Sequence, residues 1–267
     1  MHYQEIAPIE SLREYVRFFW VLEDFTINSE VHNYKIIPDG LPALIFQDRP
    51  SLFYGEDNII TPQLYIYGQF TKFTNQRVTE PFRIIGAYLE PTALKSIFKI
   101  DASEFSNQNI SLNDIARESI LEQLVNAYTV KDKIDILSDF LLLKLNIADY
   151  INTKAEFASK SLQNGATVKQ VQSEMNLSER TLERLIKQHI GMSPKSFSRI
   201  NRFQSSLKII RNLDFKSLTE ISYENDYFDQ SHFIRDFRDL TGSKPTDFLA
   251  KAEEQLINFP KWKNNVD

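Results

Sequence analysis

The 267-residue chain contains no cysteine. Disulfide frameworks, cysteine-ligated zinc and thiol nucleophiles are excluded, and the composition suits a reducing compartment. Histidine is scarce as well: His2, His32, His189 and His232 are the whole set, too few for the clustered ligands of a metal-dependent barrel enzyme. With only 7 glycines, few loops can cradle a phosphate, and no Ser-His-Asp spacing or paired-acid motif stands out. Asp39, in the run PDGLP, invites a reading as a catalytic acid, but Asp-Gly after Pro is in the main a turn. No catalytic, cofactor-binding or metal-ligating residues are expected, and no enzyme activity. Long apolar runs are also missing. None approaches the ~18 residues of a membrane span, and the start, MHYQEIAPIESLREYV, lacks the basic flank and apolar block of a signal peptide. A cytoplasmic protein without membrane association is the expectation.

A uniform excess of positive charge is lacking, since the chain is −5 overall. The charge is unevenly spread. Residues 1–154 hold 14 Lys and Arg against 21 Asp and Glu, residues 155–211 hold 10 against 4, and residues 212–255 hold 5 against 10. Only the middle segment suits a polyanion.

Hydrophobic periodicity divides the chain. The runs YVRFFWVLEDF, YKIIP, LPALIFQ, QLYIYGQFTKF and PFRIIGAYLE are rich in β-branched and aromatic residues and separated by turn residues, which predicts antiparallel strands in a barrel or sandwich. Phe18, Phe19, Trp20, Tyr65, Tyr67 and Tyr88 on these strands either line a pocket or fill a core, with core the better reading. PTALKSIFKI predicts a short helix. SLNDIARESILEQLVNAY and KDKIDILSDFLLLKLN predict two longer helices that pack as an antiparallel pair. The second is apolar around much of its circumference, which suits burial within its own domain or a dimer contact. From about residue 150 onward the periodicity is helical. The fold expectation is α+β. It places a β-rich sensory or dimerisation domain with a helical pair over 1–150, an all-α domain over 151–255, and a tail over 256–267.

The second half contains a repeat. TVKQVQSEMNLSERTLERLIKQHIGMSPKSF, from Thr167, aligns with SLTEISYENDYFDQSHFIRDFRDLTGSKPTDF, from Ser217, if the second turn is one residue longer. Each copy reads as a short helix, a turn, and a longer helix opened by a capping side chain, Ser178 or Asp229. Gly191 and Gly242 stop the long helices where a left-handed residue is wanted, and Pro194 and Pro245 fall in the first turns that follow. That is a helix-turn-helix, twice. Leu182, Leu185, Ile186, Phe233 and Phe237 fall on the core side.

A helix fits the major groove of DNA and offers its N-terminal residues to the base edges. Candidate base readers are Arg180, Glu183 and Arg184 in the first copy and Gln230, Ser231, His232 and Arg235 in the second. Arginine pairs with guanine, glutamate accepts from cytosine N4, and glutamine pairs with adenine. His232 is equally placed to pack on the preceding turn. Lys187, Lys195, Arg199, Arg202 and Arg238 are candidate phosphate contacts, which add affinity without sequence choice. Between the copies runs PKSFSRINRFQSSLKIIRN, a predicted helix of roughly 27 Å, close to the ~34 Å recurrence of the groove.

These residues, above all DQSHFIRDFRDLTGSKPTDF, resemble the AraC/XylS family of bacterial transcription regulators, over roughly Glu156 to Ala250. The resemblance implies double-stranded DNA as a partner, two recognition helices in adjacent major grooves, activation through RNA polymerase, and an N-terminal half that senses a small molecule or makes a homodimer. Where the family often has a glycine and a small residue before the second recognition helix, this chain has Asn225, Asp226 and Phe228. IIPDGLPALIF, IYGQFTKF and IIGAYLEPTALKSIF similarly resemble an N-terminal domain of unassigned function found ahead of such units. A regulator without a ligand, whose first half only dimerises or docks a partner, is the alternative.

Overall fold

The computed structural model describes residues 1–26, 31–55, 58–117, 119–146, 152–212 and 215–250. The boundary expected near Tyr150 and the tail over 256–267 lie outside the described residues. In chain order the strands are β1 (His2–Ile6), β2 (Val16–Asp24), β3 (His32–Ile36), β4 (Ala43–Gln47), β5 (Leu64–Tyr67), β6 (Thr74–Val78), β7 (Phe82–Leu89) and β8 (Asn109–Ser111).

Alternation builds the first half. Along a strand successive side chains face opposite sides, and here both sides are apolar. Phe19, Val21, Leu44, Phe46, Leu64, Ile66 and Ile85 enter one core, while Trp20, Leu22, Ala43, Ile45, Tyr65, Tyr67 and Ile84 enter another. A sheet of this kind must be covered twice. It has the order β1-β2-β7-β4-β5-β8, every pair antiparallel, and the β3-β6 pair forms a second, two-stranded sheet. Helices α1 (Ala93–Phe98), α2 (Leu112–Ile115), α3 (Leu121–Asn126) and α4 (Val130–Asn146) contribute to the first core. Tyr34 of β3 and Val78 of β6 contribute to the second. Trp20, Tyr65, Tyr67 and Tyr88 are thus core residues on the face toward the small sheet, and Phe18 packs at its margin.

Two departures from the sequence reading have physical reasons, and one open alternative is decided. Strands β1, β6 and β8 read HYQEI, TNQRV and NIS, too polar and short for an alternation signal. The stretch 111–128, expected as one helix, is two, α2 and α3, with an extended Ala116 (φ −126°, ψ 135°) between them. Leu112, Ala116, Ile120 and Leu124 all enter the core, and a strict spacing of four drifts about 40° per step on an α-helix, so the break re-aims the second pair. Helix α4 packs within its own half. Ile134, Leu137, Phe140 and Leu141 are buried, and the Lys133 ammonium, itself buried, donates to Asp48 at 2.8 Å and lies 4.9 Å from the Phe46 ring centre.

The remainder is helical: α5 (Thr153–Gln163), α6 (Val168–Met175), α7 (Glu179–Ile190), α8 (Pro194–Arg211), α9 (Leu218–Glu224), α10 (Gln230–Thr241) and α11 (Pro245–Ala250). Leu182, Ile186, Phe197, Phe203, Phe233, Phe237 and Phe248 form one core. Leu185 is only partly buried. Ile37, from the first half, is fully buried in this helical core, so the two halves are packed together.

Candidate nucleic-acid interface

Each repeat is locally determined. Thr167 and Ser217 cap α6 and α9, accepting from the N–H groups of Gln170 and Glu220 at 3.2 Å. The short helices end at left-handed residues, Asn176 (φ 51°) and Asp226 (φ 55°), in repeat-equivalent positions. Asp226 therefore supplies the conformation for which the family often uses glycine, and the Asn225 amide donates to Ile221 O at 2.9 Å to close the turn. Ser178 then accepts from Thr181 N–H at 3.3 Å and opens α7, and Asp229 accepts from His232 N–H at 2.6 Å and opens α10. Both long helices have 12 residues and stop at left-handed glycines, Gly191 and Gly242.

The apolar stripe of each long helix is buried, and the polar face is outward. Arg180, Glu183, Arg184 and Lys187 on α7 are exposed, as are Gln230, Ser231, Arg235 and Arg238 on α10 and Lys195 on α8. The first-turn residues of α10 are held in place. Gln230 Oε1 accepts from the Thr219 hydroxyl at 2.9 Å. His232 packs on the preceding turn: its Nδ1 accepts from Phe228 N–H at 3.4 Å, its Nε2 lies 3.7 Å from Asp236 Oδ2, and its ring meets Tyr227 edge-on at 5.3 Å.

Arg199 and Arg202 of α8 are engaged inside the molecule. The Asp236 carboxylate is buried and accepts from Arg199 Nε at 3.0 Å and from Arg202 Nη2 at 3.4 Å, while Arg199 Nη2 reaches Asp239 at 2.8 Å. The Arg202 guanidinium also lies 4.5 Å from the Tyr227 ring centre, a favourable cation–π distance. Two acids of the second repeat thus have a structural use, since Asp236 and Asp239 pair with Arg199 and Arg202 and fix α10 against the linker helix. Nothing in the sequence pattern signals this link, which joins residues 34 to 40 positions apart.

The first half holds the ends of both long helices. At α7, Ser106 Oγ donates to Gly191 O, and a Cβ at Gly191 would stand 2.7 Å from Ala102 O. At α10, Lys35 Nζ donates to Thr241 O at 2.8 Å, and a Cβ at Gly242 would stand 2.7 Å from the Phe73 ring. Between them the Pro38-Asp39-Gly40 turn lies on α8, where Gln204 Nε2 donates to Pro38 O at 2.6 Å. Asp39 is a turn residue that accepts from Leu41 N–H at 3.0 Å. Burial pushes its carboxyl up to about 6, and bonds from Leu41 N–H and the Tyr88 hydroxyl oppose that rise. Arg211, at the far end of α8, is brought down to about 10 by burial, with Asp39 and Tyr88 countering.

His189, near the end of α7, is buried in the same seam. Asn152 Oδ1 accepts from Ala155 N–H, which leaves the Asn152 amide to donate to His189 Nε2 at 3.2 Å. Burial, assisted by nearby Lys95 and opposed by Asp101, pulls the imidazole down to about 4, so it is neutral.

Residues 158–251 match the family described as "Helix-turn-helix domain", and residues 4–111 match "Domain of unknown function (DUF6597)". The HTH-type transcriptional activator RhaS of Salmonella paratyphi B is 35% identical over 87 residues, covering 33% of this chain and 31% of that protein; RhaS of Salmonella newport gives the same figures. The chain spans about a third of the length of the curated relatives it matches. Among solved structures, ToxT from Vibrio cholerae aligns over 87% of this chain and 98% of its own at 11% identity and a TM-score of 0.46. A probable AraC family transcriptional regulator from Rhodopseudomonas palustris aligns over 37% and 93% at 22% identity and a TM-score of 0.32. The second half of this chain is thus a double helix-turn-helix, the architecture of a DNA-binding domain, and residues 158–251 match that helix-turn-helix family.

Proposed function

We propose that the chain is a sequence-specific transcription regulator, an activator, that sets α7 and α10 into adjacent major grooves. The observation that carries this reading is the matched pair of capped helices, equal in length and outward-facing on their polar sides, joined by the 18-residue α8. That helix is ~27 Å long, and the grooves on one face of B-DNA recur every ~34 Å. Arg180, Glu183 and Arg184 read bases in one groove, and Gln230, Ser231 and Arg235 in the next. Lys187, Lys195 and Arg238 meet phosphates, whereas Arg199 and Arg202 serve to set the second unit against α8. The operator is met in the cytoplasm, and RNA polymerase is the partner an activator contacts.

For the first half, dimerisation or docking of a partner is favoured over sensing a small molecule, because the strand aromatics fill the seam between the two sheets. The test of the DNA reading is a pair of substitutions. Arg184→Ala weakens binding to the preferred site by roughly 1–3 kcal/mol and relaxes choice at one base pair, whereas Lys195→Ala weakens preferred and random DNA alike. Equal losses on both DNAs from both variants would contradict the assignment of Arg184.

A further inference from the structure

The second turn is longer than the first by one residue, and that residue is Phe228. After the left-handed Asn176 and Asp226, Leu177 and Tyr227 both pack against the helical core. In the first unit the cap Ser178 follows at once. In the second, Phe228 stands between Tyr227 and the cap Asp229. Tyr227 already fills the core position, so the inserted ring has no packing role there. Phe228 is 87% exposed, the highest value for any phenylalanine among the described residues.

The residue is nonetheless held in place. Its N–H donates to His232 Nδ1 at 3.4 Å, and the His232 ring is backed by Tyr227 and Asp236. Phe228 borders an open depression of about 290 Å³ shared with Asp229, Ser231, His232 and Arg235. An apolar ring beside two exposed polar residues of a recognition helix has one apolar feature to meet in the major groove, the 5-methyl group of thymine.

We propose that Phe228 reads a thymine methyl in the half-site bound by the second unit, with His232 as its positioning residue. This rests on the reading of the chain as a sequence-specific DNA-binding protein. The experiment uses the full chain and a duplex selected by it. Each thymine of the second half-site is replaced in turn by deoxyuridine, which removes only the methyl. At one or two positions the wild type should bind the uracil duplex about three- to fivefold more weakly, the effect of one apolar carbon. Phe228→Ala should bind the thymine and uracil duplexes equally, with an unchanged thermal transition because the site is exposed. His232→Ala should narrow the difference without abolishing it.

If the wild type ignores every thymine-to-uracil exchange in that half-site, or Phe228→Ala keeps the full discrimination, the proposal is overturned. The latter result would leave the exposed ring to a protein contact. If no duplex is selected at all, the underlying DNA reading fails first, and the two failures are distinct.

Discussion

Replacing Asp236 with alanine should move stability and DNA affinity in opposite directions. The carboxylate is buried and links α10 to Arg199 and Arg202 of α8. Breaking a fully buried pair costs about 3–5 kcal/mol and an exposed one about 0.2–1 kcal/mol. Here the acid is buried while both arginines are about a third exposed, so the loss should be about 2 kcal/mol. For a chain of this size that lowers Tm by about 4–8 °C. The same change leaves Arg202 without a carboxylate partner, whereas Arg199 keeps its bond to Asp239. If Arg202 then meets a phosphate, the slope of log affinity against log salt steepens by about 0.9. Differential scanning calorimetry and a salt titration on scrambled duplex measure the two effects. An unchanged Tm, or a lower Tm with an unchanged salt slope, would refute the idea that Asp236 holds Arg202 away from DNA.

Two further outcomes test the seam between the halves. His189 is neutral and buried with its titration pulled down to about 4, below the ordinary ~6.5. The unfolded chain then binds the extra proton between those values, so stability is complete above about pH 6.5 and lost as pH falls toward 4. Chemical denaturation at pH 7.5 and pH 5 should differ by about 2 kcal/mol from this group, and His189→Leu should remove that part of the difference. Gly242→Ala adds a Cβ at 2.7 Å from Phe73 at a left-handed position, whereas Gly165→Ala adds one at a left-handed position with open space around it. The Gly165 variant should lose about 1–2 kcal/mol from backbone strain alone. Gly242→Ala should lose about 1–3 kcal/mol more from overpacking, and Phe73→Ala in the same chain should recover that excess in a double-mutant cycle.

Much of the helical domain was legible because its punctuation is dictated by backbone geometry. Ser178, Asp229, Gly191 and Gly242 occupy positions where only a few residue types satisfy a first turn or a left-handed stop, so the repeat could be aligned from composition and spacing. Strands β2, β4, β5 and β7 were equally readable from their apolar content. The edges were not, since HYQEI, TNQRV and NIS owe their place to pairing with distant strands. Long-range pairing also hid the use of Asp236, which turns Arg199 and Arg202 from expected phosphate contacts into internal partners. The break at Ala116 was masked by a spacing of four that imitates a helix. Lys35, Phe73 and Ser106, which hold the ends of α7 and α10, lie in stretches whose local pattern says only strand or loop.

The central claim is that two recognition helices on one rigid linker read two adjacent grooves. Selection of the full chain on a random duplex library, followed by salt titration of the winning duplex against a scrambled one, tests it most directly. Two short motifs about one helical turn apart are expected, with a clear preference over scramble that persists as salt is raised. Weak binding that is blind to sequence and falls alike on both duplexes would contradict it.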